Sequence, residues 1–312
     1  QNIDCDYLVG AQLDGFDTMV KLSDAPLIVL EGDEYLSSPI DKRPKFHLYK
    51  PHIAVISGIA WDHINVFPTF ENYVDQFRIF KNTVSEQLIY CNEDQELSKL
   101  MVEKTKCETI EYGTPTHKII NGVTSIDNCD LKIFGRHNLQ NLNAAMLVCM
   151  QLGIDKKSFL NDMKSFKGAS NRLELIHNEK DFSIYKDFAH SPSKLKATTL
   201  ALKKQFPNRQ LVACMELHTF SSLNKNFLVE YKDSMNIVDK AIIYFNAATL
   251  KQKKLKDITK AEVQNAFNRD DLIVFTNSNK LEKYLETVKT KNQNILLMSS
   301  GNFNGINFKK IT

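Results

Sequence analysis

Apolar and polar residues alternate along the first half of the chain in blocks whose lengths predict strands and helices in turn. Two short apolar runs, at 27–30 and 53–56, are bounded by polar or turn residues, which is typical of buried strands in a parallel sheet. Between 69 and 84, aromatic and apolar residues recur at helical spacing and predict an amphipathic helix. Strands and helices that alternate in this way indicate an α/β fold.

The same alternation continues to residue 166. The pattern predicts further strands at 7–9, 88–91, 109–112 and 131–134, and further helices at 96–104, 137–153 and 155–166. Gly153 lies in the position where a glycine commonly ends a helix. Residues 167–170, Lys-Gly-Ala-Ser, have the composition of a linker. We therefore expect one domain over residues 1–169 and a second over residues 170–312.

The alternation restarts at Arg172. Two strand-like runs at 173–177 and 182–185 flank a charged turn and predict a hairpin. The segments that follow predict helices at 192–206, 225–238, 261–267 and 281–288, and strands at 210–215, 240–245, 272–275 and 295–298. This order predicts a doubly wound, Rossmann-like domain of about 140 residues, which is a common domain size.

Composition narrows the class of protein. Apolar residues make up 43% of the chain and charged residues 25%, as in ordinary globular proteins. The net charge of +3 gives no reason to expect a nucleic acid or a membrane surface as partner. Six cysteines without CxxC spacing favour reduced thiols and hence a cytoplasmic location. No apolar stretch approaches the roughly 18 residues of a membrane span. The oligomeric state does not follow from the sequence.

Acidic residues and a histidine follow the first two predicted strands. Residues 31–35 read Glu-Gly-Asp-Glu-Tyr after one strand, and residues 61–63 read Trp-Asp-His after the other. In an open α/β sheet, ligands bind beyond the carboxyl ends of the strands. An acid and a histidine from neighbouring strands could hold a divalent ion against a phosphate there. The alternative is that these side chains are helix caps or solvated loop groups.

Two asparagines open the predicted helix that begins near residue 137. Asn138 and Asn141 are three residues apart, so their side chains share one helix face. An amide offers both a donor and an acceptor, the combination that an adenine edge requires. The alternative is that one of them caps the helix, since asparagine is a favoured cap.

A further polar cluster lies at 185–192, between a strand and a helix that begins with Pro192. Helix amino termini stabilise anions, so Asp187 and His190 could address ribose or phosphate. The alternative is an aspartate that shapes a turn and a histidine that caps or packs. Arg172 could be a phosphate clamp or a member of an ordinary surface ion pair.

These motifs, in this order, resemble those of the Mur ligases, the ATP-dependent amide-forming enzymes of bacterial peptidoglycan. The resemblance rests on EGDEY at 31–35, DH at 62–63, GRHNLQN at 135–141, RLE at 172–174 and DFAHSP at 187–192. It implies that residues 1–169 are the later part of the central ATP-binding domain and that residues 170–312 are the C-terminal domain. The glycine-rich phosphate loop of that central domain has no counterpart in the sequence. We therefore expect an amino-terminally truncated fragment that is inactive alone.

Within the family, the chain resembles most the branch that joins the murein tripeptide L-Ala-γ-D-Glu-meso-diaminopimelate to UDP-N-acetylmuramate. The segments that favour this branch are 34–35, 41–46, 49–51 and 298–306. The resemblance implies that ATP phosphorylates the lactyl carboxylate and that the tripeptide amine attacks the acyl phosphate. Two alternatives stay open: the branch that adds L-alanine, and a non-catalytic remnant that binds nucleotide or a partner.

The resemblance also implies cofactors and site residues. It implies ATP and Mg²⁺, with Glu31 and His63 as metal ligands. The implied catalytic residues are Glu31, His63 and His190, the last beside the phosphate site. The implied nucleotide-binding residues are Asn138, Asn141, Arg172 and Asp187. The implied residues for the incoming amine are His218, Ser221, Ser300 and Asn302.

Overall fold

The computed structural model describes residues 3–10, 18–61, 66–308 and 311. The chain forms two compact units. Unit 1 comprises Gln1–Lys118, Ser125–Leu131 and Arg136–Phe166. Unit 2 comprises Ile119–Thr124, Lys132–Gly135 and Lys167–Thr312.

The first half of the described chain contains nine short strands, four α-helices and one 3₁₀ helix, Lys45–Leu48. The strands are β1 (Asp6–Leu8), β2 (Val20–Lys21), β3 (Ile28–Leu30), β4 (Ile53–Ile56), β5 (Gln87–Cys91), β6 (Glu108–Tyr112), β7 (Lys118–Ile120), β8 (Val123–Ile126) and β9 (Cys129–Leu131). The helices are α1 (Phe70–Lys81), α2 (Gln95–Met101), α3 (Arg136–Gln151) and α4 (Lys156–Met163). The strands form three three-stranded sheets in the orders β2-β1-β3, β4-β5-β6 and β7-β8-β9.

The core of unit 1 lies on the parallel sheet β4-β5-β6. Leu88 and Ile89 of β5 are fully buried, and α1 packs its aromatic face against the same cluster through Tyr73 and Phe77. Helix α1 begins after Thr69, whose side chain accepts a hydrogen bond from the backbone N–H of Asn72. The amphipathic pattern therefore predicted this helix correctly, because one face had to be buried.

Two expectations for the first strands are wrong. The run at 27–30 was expected to be a buried strand, but Ile28 and Val29 of β3 are 45% and 52% exposed. In the described part of the chain, β3 pairs with β1 whereas β4 pairs with β5, so the two strands are not neighbours in one sheet. Local sequence cannot fix this, because strand pairing is decided by partners distant in the chain. The strand expected at 131–134 lies instead at Cys129–Leu131.

Unit 2 is built on one six-stranded sheet. Its strands are β10 (Glu174–Glu179), β11 (Phe182–Asp187), β12 (Gln210–Glu216), β13 (Lys240–Tyr244), β14 (Ile273–Phe275) and β15 (Gln293–Met298). Its helices are α5 (Pro192–Gln205), α6 (Ala247–Gln252), α7 (Lys260–Phe267) and α8 (Ser278–Thr287). The strand order is β10-β11-β15-β12-β13-β14, and β10 alone runs antiparallel to its neighbour.

Both faces of this sheet are covered. Ala213 and Met215 of β12 face a core that includes Leu195 and Leu202 of α5. The intervening Cys214 faces a second core, which α8 completes with side chains such as Leu281. Near-continuous apolar strands are typical of a sheet that is buried on both sides. The doubly wound arrangement and the α/β fold class are confirmed.

The helix predicted at 225–238 is wrong. The structure has turns there and one short 3₁₀ helix, Leu228–Tyr231. Tyr231 is fully buried, stacks on Phe267 with ring centroids 5.0 Å apart, and donates a hydrogen bond to the backbone oxygen of His190. Asp233 adopts a left-handed backbone conformation and its N–H bonds to Phe267. These tertiary contacts override the helical pattern.

The six cysteines are free thiols, three of them buried. Within the described residues, no helix combines the length and apolar character needed to cross a bilayer.

Candidate functional site

In unit 1, polar side chains converge where the parallel strands β4, β5 and β6 end; we call this the carboxyl edge of unit 1. Asp94 accepts a hydrogen bond from the backbone N–H of Ile59, at 3.2 Å. Glu93 accepts one from the backbone N–H of Thr114. The loops after the three strands are thereby held together, as expected at the ligand-binding edge of a parallel sheet.

The first turn of α3 is held at this same edge. Arg136, its first residue, pairs with Glu93 at 2.6 Å, and Asn143 donates to the backbone oxygen of Gly113 at 2.9 Å. The hydrogen bond from Thr114, followed by the contacts with Arg136, lowers the pKa of Glu93. Asn138 lies on this turn and is half-buried, and Asn141 lies on the next turn and is exposed. The two predicted amides are therefore positioned at the edge.

Glu31 follows β3 directly, on the β2-β1-β3 sheet. Its side chain is exposed and accepts a hydrogen bond from the backbone N–H of Gly10. Two residues later, Asp33 forms an ion pair with Lys45 at 2.6 Å. The other predicted metal ligand, His63, lies outside the described residues. Among the described residues, no group of three or more histidine, cysteine or acidic side chains has the spacing of a metal site.

In unit 2, the strands β11, β15 and β12 are adjacent and parallel, and they end in register. The loops after them start side by side, and we call this the carboxyl edge of unit 2. Asp187 is the last residue of β11 and is 4% exposed. Its carboxylate accepts from the backbone N–H groups of Leu173 and Ala189, both at 2.7 Å, and from Thr198 at 3.3 Å. This aspartate therefore organises the loop that leads into α5.

The loop residues around Asp187 lie closer to solvent. Arg172 is exposed, and its guanidinium lies 5.3 Å from the ring centroid of Phe188. His190 is half-buried, with Nδ1 2.8 Å from the backbone oxygen of Phe188. That contact holds Nδ1 with its proton toward the carbonyl. His190 therefore packs within the loop, which a histidine without a ligand role would also do. Both Arg172 and His190 still lie at the carboxyl edge of unit 2.

The loop after β12 carries His218 two residues beyond Glu216, the last residue of that strand. Glu216 is 3% exposed, and its carboxylate accepts from the hydroxyl of Ser299 and from the backbone N–H of Phe303. His218 Nδ1 lies 3.7 Å from Glu216 Oε1. One buried carboxylate thus joins the loops after β12 and β15.

The other residues predicted to bind the incoming amine lie on the same two loops. Ser300 and Asn302 follow β15, and the hydroxyl oxygen of Ser300 is buried without a hydrogen-bond partner. Ser221 is half-buried after β12, where its backbone oxygen accepts from Asn224. An unpartnered buried hydroxyl is costly, and a bound ligand could satisfy it.

Two residues of these edges were not assigned a role from the sequence. Glu93 and Glu216 both stand at the end of a strand, which is the signal that could have revealed them. Their hydrogen-bond partners Thr114 and Ser299 lie more than 20 residues away, so the local sequence does not reveal these contacts.

Two family profiles match the chain. Residues 18–149 match the Mur ligase middle domain, and residues 171–301 match the Mur ligase, glutamate ligase domain. The chain belongs to the Mur ligase family. Members of this family are ATP-dependent ligases. The Mur ligase central and C-terminal domains expected from the motifs are therefore present in this order.

Curated relatives and solved structures resemble the chain over much of its length. A UDP-N-acetylmuramate–L-alanine ligase from Clostridium kluyveri is 28% identical over 252 residues, which cover 74% of this chain and 53% of that protein. The structure of UDP-N-acetylmuramate–alanine ligase from Thermotoga maritima matches with a TM-score of 0.67 at 16% identity, over 97% of this chain and 67% of that one. A murein peptide ligase from Psychrobacter arcticus matches with a TM-score of 0.62 at 20% identity, over 99% and 71%. The two structural matches show a shared fold. This Mur ligase chain spans about half the length of the Clostridium protein.

Proposed function

We propose that these two domains belong to a ligase that joins the carboxyl group of UDP-N-acetylmuramate to an amine through an acyl phosphate made from ATP. The observation that carries the proposal is the carboxyl edge of unit 2. There, three adjacent strands deliver His190, His218 and the unpartnered hydroxyl of Ser300 in the matched glutamate ligase domain. Convergent polar groups at such an edge are typical of a ligand site.

The reaction has two steps. The lactyl carboxylate first attacks the γ-phosphate of ATP, which forms the acyl phosphate and releases ADP. The neutral amine then attacks the acyl carbon, a C–N bond forms, phosphate leaves with the electrons of the C–O bond, and the nitrogen loses one proton to solvent. Because both reactants of the first step are anionic, catalysis depends on positioning and on cationic groups that neutralise charge.

The residues of unit 1 fit the nucleotide and the metal. Asn138 and Asn141 would bind the adenine edge from the amino-terminal end of α3. Mg²⁺ requires only one or two protein carboxylates, because water and phosphate oxygens complete its shell. The exposed carboxylate of Glu31 would supply one such oxygen, with His63 as its proposed companion. When bound, Mg²⁺ would neutralise charge on the phosphates.

In unit 2, the two proposed nucleotide-binding residues and the proposed catalytic histidine would act differently from one another. Arg172 is exposed and would contact phosphate directly. His190, with Nδ1 held by a carbonyl, would present Nε2 to the phosphate site. Asp187 would act by holding the loop, because its carboxylate already accepts three hydrogen bonds.

The acceptor amine is L-alanine or the murein tripeptide. The named relative from Clostridium favours L-alanine over the tripeptide. The tripeptide stays as second candidate because of the segments 41–46 and 298–306. The residues proposed to bind either amine are His218, Ser221, Ser300 and Asn302.

The test is phosphate release by the full-length protein with ATP, Mg²⁺ and UDP-N-acetylmuramate. We expect release with L-alanine and none with the tripeptide. Release with the tripeptide alone would establish the second candidate. Release with neither amine, in a preparation that binds ADP, would overturn the ligase proposal and favour a nucleotide-binding remnant. The 312-residue chain, assayed in parallel, is expected to be inactive because the phosphate loop is not in its sequence.

A further inference from the structure

Glu216 is buried, and its two side-chain oxygens have separate partners. Oε2 accepts from the hydroxyl of Ser299 and, at 2.8 Å, from the backbone N–H of Phe303. Oε1 faces His218 Nδ1 at 3.7 Å. The side chain of Glu216 is 4% exposed, whereas that of His218 is 38% exposed. The carboxylate therefore lies beneath the histidine, and the histidine lies at the surface of the carboxyl edge.

Gly301 packs closely against both Glu216 and His218. A Cβ at Gly301 would lie 2.8 Å from His218 Nδ1 and 2.9 Å from Glu216 Oε2. Its backbone N–H donates to the hydroxyl of Ser299 at 2.7 Å. No side chain fits between the loop and the pair, so the imidazole is held close to the carboxylate.

We propose that Glu216 is a positioning residue for His218: its buried carboxylate keeps the imidazole in the Nδ1–H tautomer and so presents the Nε2 lone pair to the ammonium group of the acceptor. The inference rests on the proposed ligase function. It assigns Glu216, which no motif singled out, to the recognition of the amine. Glu216 acts through His218 and does not touch the acceptor.

The tautomer of His218 depends on the atom of residue 216 that faces its Nδ1. A carboxylate only accepts hydrogen bonds, so it favours the tautomer with the proton on the nearer nitrogen. The other nitrogen then carries a lone pair, which can accept a hydrogen bond from the acceptor's ammonium. If Nε2 carried the proton instead, it would repel that ammonium.

The test replaces Glu216 by glutamine and reads the tautomer of His218. In Glu216→Gln, the amide oxygen can still accept from Ser299 and Phe303, while the amide N–H₂ faces Nδ1 as a donor. We expect ¹⁵N spectra of the neutral imidazole to show Nδ1–H in the wild type and Nε2–H in the variant. In the full-length enzyme, the KM for the acceptor should rise about tenfold, the effect of one charge-assisted hydrogen bond, with the KM for ATP unchanged.

Two further variants make the result specific. Gly301→Ala keeps the charge of Glu216 but forces the imidazole away, so the acceptor KM should rise as in Glu216→Gln. Glu179→Gln removes the carboxylate that faces His177 at 2.8 Å, on the hairpin strand β10, and should change neither His218 nor the acceptor KM.

Each outcome bears on the inference. An Nε2–H tautomer in the wild type, or an unchanged tautomer and acceptor KM in Glu216→Gln, would overturn it. If Glu216→Gln does not fold, the wild-type tautomer and the Gly301→Ala kinetics decide. A wild-type enzyme that is inactive with every amine would sink the ligase proposal, while the ¹⁵N spectra would still test the positioning of His218.

Discussion

The carboxylate of Asp187 accepts a 2.7 Å hydrogen bond from the backbone N–H of Leu173, a residue held in a left-handed conformation with φ of 46°. Such a conformation costs about 1–2 kcal/mol for a residue with a Cβ. It persists because the Leu173 side chain is buried, 5% exposed, in the core of unit 2. Asp187 thus fixes the path by which the chain enters the six-stranded sheet of unit 2.

Asp187→Ala should destabilise unit 2 by about 2–4 kcal/mol. The substitution leaves the buried N–H groups of Leu173 and Ala189 without an acceptor, and hydrogen bonds to a charged group contribute about 1.5–3 kcal/mol each. Urea unfolding followed by circular dichroism measures the change. Asp257→Asn, at an exposed position, is the matched control and should leave the midpoint in place. Equal midpoints for both variants would contradict the organising role of Asp187.

Alanine substitutions at Gly122 and Gly153 distinguish the cost of backbone strain from the cost of a steric clash. Both have positive φ, of 78° and 83°. A Cβ at Gly153 would meet nothing within 4 Å, whereas one at Gly122 would lie 2.4 Å from the ring of Phe206. Gly153→Ala should therefore cost about 1 kcal/mol, and Gly122→Ala about 1–3 kcal/mol more. Thermal unfolding of the two variants measures the difference, and a smaller loss at Gly122 would contradict the packing.

Protonation of Glu262 should make the protein less stable in acid. Hydrogen bonding from Lys225, followed by the capping box with Thr259, lowers its pKa from 4.5 to about 2. Because the folded pKa lies below the ordinary one, the stabilisation is complete above pH 4.5 and is lost as pH falls toward about 2. Glu262→Gln should flatten the fall in urea midpoint across that range. Lys225→Met should flatten it in part; a curve identical to wild type for both variants would exclude the linkage.

Asn141 should contribute to nucleotide affinity with little effect on stability. The side chain is exposed on α3, so Asn141→Ala should change the free energy of unfolding by less than about 0.5 kcal/mol. Loss of one amide hydrogen bond to adenine should weaken ADP binding about five- to tenfold, measured by calorimetry. Asn161→Ala, also exposed but on α4, is the control. Equal ADP affinity in both variants would remove Asn141 from the site.

The sequence alone predicted the features that depend on local periodicity. Helix α1 follows from the spacing of its aromatic residues, and α3 ends before Gly153, whose left-handed φ suits a helix end. The apolar runs of unit 2 predicted the strands of a sheet covered on both faces, because each run had to be buried on both sides.

Only the tertiary structure decided what depends on partners distant in the chain. It placed β3 and β4 in separate sheets, although both runs have the same apolar character. It replaced the helix expected at 225–238 by turns, because the buried Tyr231 and the left-handed Asp233 bind to Phe267. It also brought Glu216 into contact with Phe303, 87 residues away. Hydrogen bonds and burial at such separations depend on the whole fold, whereas helix and strand periodicity depends on residues only a few positions apart in the sequence.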